Sequence, residues 1–420
     1  MPIKQKVPMF SKPRLFRLFT VVGAAISLLS PYVVTAQPSS LWTTPTMIEG
    51  RSHVFDPGLS FLTFQHMDQL FATRVVRASG KPWVLPKEQK SFDVSYAYDG
   101  KTYTLDQFLE ITSTNALLVI NNQRIVAEIY RNGSNEKTRF ISWSMAKSIL
   151  STLIGIALSE GKIESIDDPV TKYLPEMEGS GYQGVTIKQL LMMRSGVDWL
   201  EIYRFKEPTQ LTEVHDNANV GYKYRWCDYA AKQSKRKTPP GTVFNYSTLD
   251  ASVLGCILER VVGMKGADYM TEKLWKPAGM ERDGYWIMDG PPEVGREFFG
   301  AGFNATLRDY GRFGLMILNG GVADGKQVVA SDWVKQATDG VHEPTEPTAP
   351  DAPTGYQYLW WTIPNSKTFM AVGLHHQFIY VDPDTRTVIV KLSYTPQPVG
   401  RRPEHLAFFR AVVARFAKTQ

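Results

Sequence analysis

The chain is poor in cysteine and histidine, and neither is arranged to hold a metal. Its 420 residues contain two cysteines and seven histidines. No Cys/His cluster has zinc spacing, and only His375 and His376 are adjacent, so a metal site has no support and no cofactor is expected. Cys227 and Cys256 sit among apolar or aromatic neighbours (Trp226; Leu254, Ile257, Leu258). That setting suits a bridge in an exported protein and a pair of buried, inert thiols equally well. Acids are missing before residue 37. The N-terminal apolar run, Leu18 to Leu29, is twelve residues, short of a bilayer-crossing helix. Internal repeats are absent.

The missing acids and the short apolar run have a common reading at the N-terminus. Lys4, Lys6, Lys12, Arg14 and Arg17 precede the apolar run, and Val34-Thr35-Ala36 offers small residues before Gln37. This is the layout of a signal peptide over residues 1–36, with an uncleaved anchor as the alternative. The lack of a cysteine near the cleavage point argues against a lipoprotein. A periplasmic or secreted location follows. The net charge of +6 then loses five positive charges with the leader, leaving +1. Nucleic acid is therefore not an expected partner, and no stable membrane span is expected after the leader is removed.

The rest of the chain can build a substantial core, being 43% hydrophobic and 12% aromatic. Residues 37–110 read as a lead-in that packs on the main body, with a helical patch around Phe61–Val75. From 111 to 420 the pattern is that of one domain. Leu117–Ile120 and Ile125–Tyr130, separated by Asn121 to Arg124, form a hairpin signal. Helices then dominate an insert of about 160–300. Tyr356–Ile363, Phe369–Gly373, Gln377–Asp382 and Thr387–Ser393 are successive strand patterns, and Pro403–Ala417 is an amphipathic helix. Strands at both ends with helices between them predict an α+β, three-layer α/β/α fold, its antiparallel sheet built from N- and C-terminal parts.

The stretch with the clearest chemistry is Ser144-Met145-Ala146-Lys147. It opens a helix whose apolar positions run through Ile149, Leu150, Leu153, Ile154 and Ala157. Residues i and i+3 are neighbours on a helix, so the lysine ammonium lies beside the serine hydroxyl. A serine is a weak nucleophile until a base takes its proton, and a buried lysine with a lowered pKa can be that base. Ser-x-x-Lys alone is common by chance. Two further stretches give it weight: Tyr246-Ser247-Thr248 after a Pro-Gly-Thr turn, and Gly373-Leu374-His375-His376-Gln377 late in the chain.

With these three motifs the chain resembles the penicillin-recognising serine hydrolases, which include class C β-lactamases, D,D-peptidases and esterases. The family's motifs are Ser-x-x-Lys, Tyr-x-Asn, and Lys-Thr-Gly or His-x-Gly on an edge strand. Asp167-Asp168-Pro169, Ser195-Gly196 and Pro240-Gly241-Thr242 agree as well, and the resemblance covers roughly residues 110–415. Within it, Gln65 to Phe71, the Tyr356–Trp361 aromatics and the Gln377 to Pro383 stretch are most similar to 6-aminohexanoate-dimer hydrolases. The resemblance implies Ser144 as acylated nucleophile, Lys147 as its base and Tyr246 as proton shuttle. A second oxyanion N–H would come from Leu374–His376, with His375, His376 and Tyr203 near the substrate. His215 and Asp216 read as a surface pair, and Asp198-Trp199 as structural.

Two departures stand out. Thr248 replaces the Asn of Tyr-x-Asn, and a hydroxyl cannot reproduce an amide's acceptor and donors together. His375-His376-Gln377 stands where Lys-Thr-Gly would receive a carboxylate, and histidine is largely neutral at pH 7. Anionic penicillins should therefore bind poorly. The leading expectation is an exported acyl-enzyme serine hydrolase of small amides or esters. The rivals are a class C-like β-lactamase or D,D-peptidase and a non-catalytic ligand-binding or sensing module. Oligomeric state is not readable from the sequence.

Overall fold

The computed structural model describes residues 39–88, 92–205, 207–339, 355–363, 365–400 and 402–417. The expected leader at 1–36 and the acid- and proline-rich stretch at 343–354 lie outside them. In chain order the strands that matter here are β1 (Thr73–Val76), β2 (Thr114–Asn121), β3 (Arg124–Tyr130), β4 (Arg139–Ile141), β5 (Gly284–Ile287), β6 (Phe303–Thr306), β7 (Gly355–Gln357), β8 (Trp360–Thr362), β9 (Phe369–Gly373), β10 (Gln377–Asp382) and β11 (Thr387–Ser393). The helices that position the site are α1 (Met145–Ser159), α2 (Trp226–Lys232), α3 (Thr248–Val262), α4 (Leu307–Leu318) and α5 (Arg402–Ala417).

A seven-stranded sheet runs β7-β8-β9-β10-β11-β2-β3, with each neighbouring pair antiparallel. Alternate side chains of a strand face opposite ways, and both faces of this sheet are apolar. Leu117, Val119, Phe378, Tyr380 and Ile389 join Leu406, Phe408, Phe409 and Val412 of α5 in one core. Leu118, Ile120, Ile379, Val388 and Val390 join the residues of α1, α3 and α4 in the other. The α/β/α layering follows from that alternation. Helix α4 lies unusually close to the sheet. A Cβ on Gly311 would come within 2.4 Å of Leu118, and one on Gly314 within 2.8 Å of Ile379 and Val388.

The β2–β3 hairpin turns through Asn122 and Gln123, both with positive φ (45° and 65°). A two-residue turn matching strand twist needs that conformation. Other stretches depart from their sequence pattern. The expected helical patch at Phe61–Val75 is two single-turn helices, Ser60–Thr63 and Met67–Leu70, followed by β1. Pairing of β1 with β5 overrides the local spacing there. The Tyr356–Ile363 run is a hairpin, reversing at Tyr358 and Leu359 with positive φ. The lead-in shares the main core, contributing Val54, Phe64, Phe71 and Trp83.

A second, four-stranded sheet, β1-β5-β6-β4, joins two strands that precede the helical insert to β5 near its end and β6 just after it. It delivers the chain from β4 into α1. Cys227 and Cys256 are joined as a disulfide, tying α2 to α3.

Candidate active site

Ser144 sits at the junction of β4 and α1. Ser142 N–H donates to Phe303 O in β6 (2.7 Å), and the chain then turns through Trp143 at φ 42°. A bulky residue in the left-handed region is strained. The Trp143 ring is held by Phe55 (centroids 4.8 Å apart) and Phe64 (5.2 Å). This turn leaves Ser144 at the N-terminus of α1, where the first backbone N–H groups lack helical partners.

Lys147, one turn on, is 1% exposed. Its Nζ donates to Ser144 Oγ (3.1 Å), Thr248 Oγ1 (3.0 Å) and Gly300 O (2.8 Å). Burial strips the ammonium of water and lowers its pKa to about 8, while the Glu201 carboxylate opposes that shift. Gly300 allows the approach, since a Cβ there would lie 2.6 Å from Thr248 Cγ2. The Lys147 nitrogen is also 5.0 Å from the centroid of the Tyr246 ring. Tyr246 stacks on Trp361 (5.7 Å), edge-on to Tyr356. Ser144, Lys147, Tyr246 and Thr248 thus meet at one place, although more than a hundred residues separate the first from the last.

Strand β9 closes the other side. A Cβ on Gly373 would lie 2.3 Å from Ser142 O and 3.1 Å from Ser144 N. The backbone of Gly373 therefore rests directly against the Ser144 amide. The strand ends at Gly373, and Leu374–His376 is a short turn with His375 and His376 at φ 55° and 65°.

The beta-lactamase family profile matches residues 104–413. The chain belongs to the beta-lactamase family. It is 34% identical over 307 residues to 6-aminohexanoate-dimer hydrolase of Paenarthrobacter ureafaciens, an alignment covering 71% of this chain and 76% of that one. A Bacillus anthracis structure, assigned as a candidate 6-aminohexanoate-dimer hydrolase, superposes with a TM-score of 0.78 at 24% identity, over 87% of this chain and 96% of the other. A family VIII carboxylesterase shares the fold at a TM-score of 0.55 and 16% identity, over 73% and 95% of the two chains. The protein is a β-lactamase-fold serine hydrolase similar to 6-aminohexanoate-dimer hydrolase.

Against the family's motif pattern, the late strand needs correcting. His375-His376-Gln377 does not form the strand beside Ser144. That strand is Ala371-Val372-Gly373, and the two histidines fall in the left-handed turn after it. Nor is it an edge strand, because the β7–β8 hairpin pairs beyond it. Either way no cation stands on it. The His375 ring is 2% exposed, packed on Phe55, Phe64 and Trp143, with Nδ1 on Thr395 O (2.7 Å). Burial lowers its pKa to about 4, so it is neutral at pH 7. Its backbone N–H donates to Pro398 O (2.9 Å) and is not available to a substrate. His376 is 4% exposed, beside Thr395 Oγ1 and His405.

Tyr203 is half-buried, and its hydroxyl donates to Glu201 Oε1 (2.7 Å). His215 is buried against Phe55 and Phe205, with Asp216 at 3.0 Å, so it belongs to an aromatic cluster and not to an exposed pair. Asp198-Trp199 passes beside the site, and the Trp199 indole donates to Glu201 Oε2 (2.8 Å). Glu201 is the residue that sequence reasoning missed. It was one acid in a charged, aromatic loop, and its one available signal was its place two residues before Tyr203. Among the described residues, no cluster of His, Cys, Asp or Glu could hold a metal ion, and no helix is long and apolar enough to cross a membrane.

Proposed function

We propose that this protein is an exported acyl-enzyme hydrolase of small amides and esters, with linear aminohexanoate amides as the first substrates to test. The observation that carries the reading is the Lys147 nitrogen 3.1 Å from Ser144 Oγ, buried and with its pKa lowered to about 8. Such a lysine can be neutral near physiological pH and accept the hydroxyl proton as Ser144 Oγ attacks the carbonyl carbon. The resulting oxyanion lies against Ser144 N–H at the start of α1. The N–H of Leu374, the peptide after Gly373, is the second donor, as His375 N–H is already engaged. Collapse breaks the C–N or C–O bond, and the departing amine or alcohol takes a proton from Lys147 by way of Tyr246. Water then attacks the acyl-serine carbonyl, giving a proton to the same pair; as the C–Oγ bond breaks the pair passes that proton to Ser144 Oγ, and the acid leaves.

The aromatic walls suit an extended methylene chain on either side of the reacting carbonyl. Phe244, Tyr246, Tyr356 and Trp361 pack together on one side. Tyr203, Phe205 and Phe55 form a second aromatic group. No lysine stands on β9 to receive the carboxylate of a penicillin. The basic N-terminus with its apolar run supports export. Purified protein should hydrolyse p-nitrophenyl esters and the linear 6-aminohexanoate dimer in preference to a chromogenic cephalosporin. Ser144→Ala and Lys147→Ala should each remove nearly all turnover. Folded variants that keep their activity would refute the assignment.

A further inference from the structure

We infer that Glu201, acting through Thr248, is a positioning residue that aims the lone pair of Lys147 at Ser144. The inference rests on the reading of Lys147 as the base.

Glu201 collects four donors. Its Oε1 accepts from the Tyr203 hydroxyl (2.7 Å) and the Thr248 hydroxyl (2.5 Å). Its Oε2 accepts from the Trp199 indole (2.8 Å) and the Thr248 backbone N–H (2.6 Å). A carboxylate only accepts, so the single hydrogen of the Thr248 hydroxyl is committed to Glu201. The oxygen of Thr248 can then only accept from Lys147. Gly300 O, a carbonyl, also only accepts.

A neutral lysine has two N–H bonds and one lone pair. With Thr248 and Gly300 taking the two N–H bonds, the lone pair faces Ser144 Oγ, the one contacting group with a proton to give. Without Glu201, the Thr248 hydroxyl could turn and donate to that lone pair, competing with the nucleophile. The arrangement also accounts for the missing asparagine. An Asn amide at 248 would carry a fixed acceptor and a fixed donor, and threonine needs a carboxylate to make it behave as an acceptor toward lysine. The titratable and charged groups facing Lys147 are Glu201, by way of Thr248, and the Tyr246 ring. Asp250, further along α3, is occupied by Tyr182 (2.9 Å) and Ser195 (3.0 Å). The Glu201 charge also favours the protonated lysine.

The test uses the purified enzyme with a p-nitrophenyl ester, following kcat/KM against pH and checking folding by circular dichroism. Thr248→Val should slow the reaction by about tenfold or more, the scale of a misaligned general base. Thr248→Asn restores acceptor and donor together and should recover activity to within about threefold of wild type. Glu201→Gln should move the acid limb of the profile to lower pH, which a purely structural contact would not do. A Thr248→Asn enzyme as slow as Thr248→Val would overturn the inference, and so would an unmoved limb in folded Glu201→Gln. Lys147→Ala separates the two levels. If it retains turnover, the reading of Lys147 as base fails. If it loses turnover while the other variants behave as wild type, only the role of Glu201 and Thr248 fails.

Discussion

Gly373 offers the sharpest structural perturbation of the proposed oxyanion site. A methyl group there would lie 2.3 Å from Ser142 O and 3.1 Å from Ser144 N. An ordinary carbon–oxygen contact is about 3.5 Å, so the overlap with Ser142 O is about 1 Å. The obstacle is backbone on both sides, and neither side can swing away. Relief requires β9 to retreat from α1 by roughly that amount. An N–H···O bond of about 2.9 Å stretched by 1 Å is no longer a hydrogen bond. If Leu374 N–H is the second oxyanion donor, Gly373→Ala removes it, and loss of one such donor costs about 100- to 1,000-fold in kcat. Forcing a methyl into a packed site costs about 1–3 kcal/mol in stability. The enzyme should therefore remain folded at 25 °C but nearly inactive. Steady-state kinetics on a p-nitrophenyl ester, with a thermal melt of the same sample, gives both numbers. A folded Gly373→Ala enzyme with kcat within about threefold of wild type would refute the placement of the oxyanion site.

Other expectations follow from single groups. The proposed base Lys147 can accept a proton only when deprotonated, so kcat/KM should rise with pH through about 8, and a profile flat from pH 6 to 9 would contradict this. His375 has its pKa lowered from 6.5 to about 4 by burial. Between those values the unfolded chain binds more protons, so stability falls as pH drops through that window. At about 1.4 kcal/mol per pH unit, this group alone accounts for about 3 kcal/mol. Denaturant midpoints at pH 7 and 4.5 should differ less in His375→Gln than in wild type. Reducing the Cys227–Cys256 bridge between α2 and α3 should lower stability by about 2–4 kcal/mol, measured as a drop in urea midpoint with added dithiothreitol.

The sequence carried the parts of the site that depend on local spacing. Ser144 and Lys147 lie one helical turn apart, and the β2–β3 hairpin and the strands β9 to β11 announce themselves by apolar runs between turn residues. Tyr246 was visible because it shares a motif with its family. What sequence could not show depends on distant pairing. β1 and β4 to β6 are three or four residues each, lie far apart in the sequence, and become a sheet only by meeting one another. The turn after Gly373 needs positive φ at two consecutive histidines, which no apolar pattern announces, so the histidines read as strand. Glu201 joins the site through Thr248, 47 positions away, whose hydroxyl donates to it, and no local spacing links the two.

An acyl bond to Ser144 is the intermediate on which the proposed mechanism most directly depends. Enzyme mixed with a p-nitrophenyl ester, quenched in acid during turnover and digested, should yield the peptide containing Ser144 heavier by one acyl group. The adduct should disappear as substrate is exhausted and be absent from Ser144→Ala. Turnover with no such adduct, or with the acyl group on another residue, would contradict it.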